Sequence, residues 1–195
     1  VELGIGHRVL AARQRSGSDA FCFGSKGTLR MNRCACAALV AGLLLAVTAQ
    51  AQPLEFDGIE LSRDIPCGGR DVNISGNANT ISLTGDCGVV QVYGTDHKVT
   101  LGTATALEIS GMDISVSATS VARLMVDTAK NRVRGAVVGD GQTAIVEIDG
   151  AEHELDLRFD GPVQITLNGV DNQLNWSGDE PAISSSGVGH RIVRQ

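Results

Sequence analysis

Residues 71–85, DVNISGNANTISLTG, contain two short alternating runs on either side of a turn. Val72 and Ile74 alternate with Asp71, Asn73 and Ser75, and Ile81 and Leu83 alternate with Thr80, Ser82 and Thr84. Successive side chains of a strand point to opposite faces, so each run is a strand with one apolar face. Between them, Ser75-Gly76-Asn77-Ala78-Asn79 supplies the Gly and Asn that tolerate positive φ, and the chain turns there.

The same pattern returns along the chain. Segments of the form Gly, two small or polar residues, usually an Asn or His, one residue, then an apolar residue begin at Gly76, Gly94, Gly111, Gly150, Gly169 and Gly187, and at Thr128 with Thr in place of Gly, at spacings of 18, 17, 17, 22, 19 and 18 in chain order. Self-similarity at a short period means one supersecondary unit stacked on copies of itself.

Two geometries satisfy the unit. In a hairpin the strands flanking the turn pair with each other; in a β-arc they face each other across a core and pair with equivalent strands of the next unit. The position three after the turn Gly favours the arc. It reads Asn79, His97, Ile114, Asn131, His153, Asn172 and His190. In stacked, in-register coils such a column lets side-chain amides bond along the stack as a ladder, whereas a hairpin meander has no reason to repeat a polar residue there. The expectation is an all-β, single-domain β-solenoid, parallel β-helix-like, with coils of about 18 residues. An antiparallel β barrel or sandwich is the alternative.

The 22-residue interval contains Gly139-Asp140-Gly141-Gln142, where an enlarged loop is expected. Val121–Val126 falls where the repeat demands a strand, although it could pass for a helical turn. Leu54–Ile65 and the tail from Ile192 to Gln195 are the candidates for covering the ends of the stack.

Ahead of the repeats, residues 31–51 (MNRCACAALVAGLLLAVTAQA) show a basic Arg33, an apolar run and the small pair Ala49 and Ala51. That is the layout of a secretory signal peptide, and the expected mature chain starts at Gln52. Residues 1–30 have neither hydrophobic period nor repeat and are read as a mis-assigned start or a disordered leader. The expected mature chain, residues 52–195, is one β-repeat domain with no transmembrane span, exported to the periplasm or the exterior.

Residues 52–195 carry 10 Lys and Arg against 20 Asp and Glu, a net charge of −10. Phosphate backbones and anionic membrane surfaces need clustered cations, so nucleic acid is excluded as a partner. Phe56, Tyr93, Phe159 and Trp176 are its only aromatic residues, too few for a platform of rings stacking on sugars. Of five Cys, Cys22, Cys34 and Cys36 precede the expected mature start, which leaves Cys67 and Cys87. Two Cys in an exported chain imply one disulfide, and their separation of 20 residues places them in neighbouring coils about 4.8 Å apart.

These residues resemble a family of exported bacterial proteins known as a domain of unknown function, DUF3060. Its members share an N-terminal signal, repeated V-x-I-x-G-x-x-N-x-V-x-L-x-G elements and often a Cys between the first of them. The resemblance covers residues 65–195, best in VNISGNANTISLTGDCGVVQVYGTDHKVTL and VQITLNGVDNQLNW. Ile114, the three His of the column and Thr128 depart from the pattern. The resemblance implies a repeat architecture and brings no activity, cofactor or site residue.

No catalytic signature accompanies the repeat. Neither G-x-S-x-G nor H-E-x-x-H is present, and Gly68-Gly69 precede a strand rather than a helix, which makes them a turn and not a phosphate loop. His97 and His153 would stand three coils apart, roughly 14 Å, too far to share a metal ion. The alternation Glu147, Asp149, Glu152, Glu154, Asp156 is expected to gather carboxylates on one outward face, since Ile148, Leu155 and Leu157 take the inner one. Such a cluster has the chemistry for Ca²⁺ or for the paired acids of a glycosidase, and is read first as a solvated face that blocks edge aggregation. Arg123, Lys130, Arg132 and Arg134 form the one basic cluster, beside the enlarged loop. The Thr rows are too incomplete for an ice-binding array.

The functional expectation is a non-enzymatic structural or binding module of the envelope or exterior, without cofactor, engaging an envelope protein or polysaccharide. The alternative is a carbohydrate-active enzyme or polysaccharide-binding protein.

Overall fold

Consecutive strands on either side of each turn do not pair with each other; every ladder is parallel and links one unit to the next. The computed structural model describes residues 52–139 and 141–195. The leader, the signal segment, Cys22, Cys34, Cys36 and Asp140 lie outside the described residues.

In chain order the strands are β1 (Leu54–Ile59), β2 (Ser62–Pro66), β3 (Val72–Asn77), β4 (Thr80–Thr95), β5 (Lys98–Met112), β6 (Ser115–Val121) and β7 (Arg123–Ala129). They continue with β8 (Arg132–Val138), β9 (Ala144–Ala151), β10 (Glu154–Asp160), β11 (Val163–Val170), β12 (Gln173–Gly178), β13 (Ala182–Val188) and β14 (Arg191–Arg194). Strands leading into a Gly turn stack as one side of the coil, through β1, β3, the later halves of β4 and β5, β7, β9, β11 and β13. Strands leaving a turn stack as the other side, through β2, the earlier halves of β4 and β5, β6, β8, β10, β12 and β14. The chain is a β-solenoid of eight coils.

Alternation fixes which side chains go in. On the first side Ile74, Val92, Ile109, Val126, Ile148 and Leu167 form one buried column, and on the second Ile81, Val99, Val116, Val133, Leu155 and Leu174 form another. A third column lines the corner opposite the turns, where Cys67, Cys87, Ala104, Val121, Val137 and Phe159 follow one another. All three share one core. Phe159 stacks on Trp176, with ring centroids 6.0 Å apart.

Cys67 and Cys87 are joined across neighbouring coils, with Cα atoms 5.0 Å apart. Their separation exceeds one 18-residue register step because Gly85 and Asp86 are inserted before Cys87, whereas Gly68 and Gly69 follow Cys67. The enlarged loop of the 22-residue coil falls between Val138 and Ala144, the end of β8 and the start of β9. Val121–Val126 is not helical: Val121 ends β6, the chain bends at Ala122, and Arg123–Val126 run within β7.

The ends differ from expectation. Leu54–Ile65 is not a separate cover; it is itself the first coil, in register with the second, and its turn Gly58-Ile59-Glu60-Leu61 is an eighth copy of the motif. The tail from Ile192 is likewise part of the last rung, β14 on β12. Both ends are blunted from within. Arg63 takes the inward position above which Ile81 sits, and Arg194 takes the inward position on Trp176, its guanidinium 4.9 Å from the ring centroid.

Candidate functional site

The polar column at the turns is the first candidate. Its members stand in register, each coil's Leu61, Asn79, His97, Ile114, Asn131, His153, Asn172 or His190 beside the next. Asn79, His97, Asn131, His153 and Asn172 are fully buried. The bonds do not run from amide to amide, as a side-chain ladder would require; they run from side chain to main chain. Leu61 N–H donates to Asn79 Oδ1 at 2.9 Å, and Asn79 Nδ2 donates to the carbonyls of Ser75 and Gly58. Asn131 repeats this one for one, accepting from Ile114 N–H and donating to Asp127 and Gly111 carbonyls. Asn172 accepts from His153 N–H and donates to Asn168 and Gly150.

Imidazole performs the same task with one ring. His97 Nδ1 accepts from Asn79 N–H and its Nε2 lies 2.9 Å from Tyr93 O, which assigns the proton to Nε2. His153 Nδ1 accepts from Asn131 N–H, and Nε2 faces Asp149 O. Burial of the ring holds the His153 pKa below the ordinary histidine value, against the opposing pull of the Asp149 carbonyl. In the last coil His190 Nε2 donates to Ser186 O, while its buried Nδ1 has no hydrogen-bond partner.

The turn itself is tight. A Cβ on Gly169 would overlap the Gly150 carbonyl oxygen, and its φ of 116° suits only Gly. Two residues after the turn position the backbone is left-handed, at Glu60, Ala78, Asp96, Asp113, Lys130, Glu152 and Asp171, a regularity invisible in residue types so varied. From Asn79 to Asn172 the polar side-chain atoms of the column are thus committed to holding turns, and His190 Nδ1, in the last coil, is the exception.

The carboxylates expected on one face are not together. Glu147 and Asp149 lie on β9, and Glu154 and Asp156 lie on β10, on the opposite side of the coil, because the turn at Gly150–Glu152 reverses the chain between them. Each side meets arginines of the preceding coil instead. Arg123 is 3.7 Å from Glu147 on the first side. On the second side Arg132 bonds Glu154 at 2.8 Å and Arg134 lies 3.4 Å from Asp156. The hydrogen bond to Glu154, with the charge behind it, raises the Arg132 pKa further. Among the described residues no group of three His, Cys, Asp or Glu is placed to hold a metal ion.

The second side does carry a concave feature. Outward positions of four successive strands form a grid two residues wide: Ser115 and Ser117, Arg132 and Arg134, Glu154 and Asp156, Gln173 and Asn175. The short serines beside long arginines leave a trough of about 310 Å³. Hydroxyl, guanidinium, carboxylate and amide succeed one another at the rung spacing of about 4.8 Å, so the trough runs roughly 14 Å along the axis. Repeat periodicity gave these residues no signal, because outward positions vary freely while inward ones are held.

Residues 74–131 match the model of the family described as Protein of unknown function (DUF3060). The DUF3060 match takes in the column residues Asn79, His97, Ile114 and Asn131 and the strands from β3 to β7, where the repeat departs least from a constant period. Of the residues lining the trough it includes only Ser115, Val116 and Ser117. No curated protein and no solved structure gives a significant match. No helix among the described residues is long and apolar enough to cross a membrane.

Proposed function

We propose that this protein is an exported, non-enzymatic binding module of the cell envelope or exterior, and that its trough receives a hydroxyl-rich, uncharged polysaccharide. The observation that carries the reading is the grid of the second side: donors and acceptors alternate at fixed spacing in a concave strip, and its charges cancel within the Arg132–Glu154 and Arg134–Asp156 pairs. A strip of balanced charge suits a neutral polymer with many hydroxyl groups better than an anionic one. Export is supported by the sequence of residues 31–51 and by a disulfide, which persists in oxidising compartments.

The absence of turnover is supported by the state of the carboxylates. A glycosidase pairs a protonated acid with a second carboxylate across the scissile bond. Glu154 and Asp156 each face a guanidinium in solvent, with side chains 59% and 47% exposed, so neither has the burial that would keep a carboxylic acid protonated.

A thermal-shift series with a neutral glucan, a chitooligosaccharide and alginate tests the reading. A ligand at a hundred times its Kd stabilises the folded state by about 2.7 kcal/mol. The neutral glycans are expected to raise Tm, and Arg134→Ala with Asp156→Ala to abolish the rise while leaving the fold intact. A flat series on folded protein removes the polysaccharide reading. Turnover of any glycan, lost in Asp156→Asn, replaces the module by an enzyme.

A further inference from the structure

The turn edge carries a second surface, independent of the trough. One residue after the turn position, five successive coils place Met112, Ala129, Ala151, Val170 and Val188 in register. Met112, Val170 and Val188 are 44%, 47% and 71% exposed. Four rung intervals of about 4.8 Å make an apolar ridge roughly 19 Å long. Ala129 and Ala151 lower its middle, leaving a saddle between Met112 and the two valines. Carboxylates flank it on both sides: Asp127 and Asp149 on one, Asp113, Glu152 and Asp171 on the other, with Lys130 as the single cation among them.

We propose that this edge docks a cationic amphipathic helix of a partner protein. A contiguous exposed apolar strip rimmed by charge marks an interaction surface. The rim is acidic, so the matching partner presents Lys or Arg beside its apolar face, and an anionic membrane is repelled. The partner element is a helix because the main chain along most of the edge is already paired: the N–H groups of Asp96, Lys130, Glu152 and Asp171 donate to the carbonyls of Met112, Ala151, Val170 and Val188. A strand laid on the ridge would leave its own peptide groups unpaired, whereas a helix satisfies them internally and presents apolar residues at i, i+3, i+4 and i+7. At 1.5 Å per residue, the ridge seats about 13 residues of helix.

The test uses a fluorescein-labelled 14-residue peptide of Leu and Lys with leucines on one helical face, titrated with the protein and read by anisotropy. Two comparison peptides carry the same leucines with Glu for Lys, or the same composition with leucines scattered around the helix. Saturable binding of the first peptide, at least tenfold tighter than of either other, is expected. Val170→Lys should weaken it at least tenfold, and Glu180→Lys, at the opposite corner with a larger change in net charge, less than threefold. Val188→Lys, in the last coil, serves as the second ridge variant should Val170→Lys lower the melting temperature. Equal weakening by ridge and corner variants, equal binding of the scattered peptide, or no binding of the amphipathic one overturns the proposal.

Discussion

Asn131 and His153 occupy the same place in adjacent coils, and the main-chain N–H of the first donates to Nδ1 of the second at 3.2 Å. Amide and imidazole are thus two solutions to one problem, an acceptor aimed at the neighbouring coil and a donor turned back on the side chain's own turn. An apolar residue at such a place leaves those main-chain groups without partners, at roughly 1–3 kcal/mol for each buried one.

Ile114 is the interruption in this column. By register, an Asn there finds His97 N–H to accept from and the carbonyls of Gly94 and Ser110 to donate to. Ile114→Asn is therefore expected to cost under about 1 kcal/mol in urea denaturation, whereas Val116→Asn, two residues on and equally buried, costs about 3 or more. Equal losses would refute this account of the column.

His153 titrates in the direction opposite to a stabilising ion pair. Its folded pKa lies below the unfolded value because burial disfavours the cation, so below about pH 6.5 the unfolded chain binds more protons. Stability from this residue is full above that pH and declines as pH falls toward the folded value. Tm measured from pH 7.5 to 5 should drop more steeply in the natural chain than in His153→Asn, which keeps an acceptor and a donor without a titrating ring. Parallel curves would count against the assignment.

The Cys67–Cys87 bond ties the first coil to the second across a loop of 20 residues. Closing a loop of that size removes about 3 kcal/mol of freedom from the unfolded chain. Cys67→Ala with Cys87→Ala should lower stability by about that amount, with hydrogen exchange accelerated in β1 and β2 more than in β9 to β12.

Arg63 and Arg194 stand where the interior coils hold apolar side chains. Inward charges on terminal strands discourage one stack from adding to another. Arg63→Ile combined with Arg194→Leu is expected to convert a concentration-independent sedimentation coefficient into one that rises with concentration. A double variant that stays unchanged shows that other features guard the ends.

The repeat, the parallel stacking, the disulfide and the position of the enlarged loop were legible because inward alternation and turn glycines leave a period in the chain. The first coil escaped notice because its column residue, Leu61, is apolar and its turn, Gly58-Ile59-Glu60, lacks Asn. The carboxylates were misplaced for a different reason: Glu147 and Asp149 alternate, and so do Glu152, Glu154 and Asp156, but the three-residue step between the two runs is the turn at Gly150 to Glu152 that carries the chain from one side to the other. The trough depended on which outward residues become neighbours three or four coils away, which one strand read alone does not reveal.

Register has one more effect. Since every coil touches only the one before and the one after, excising residues 98–114 would join His97 to Ser115 and bring Asn131 next to His97. The shortened chain would close over the excision with an uninterrupted polar spine, so this architecture can change length by whole turns without renegotiating its interior.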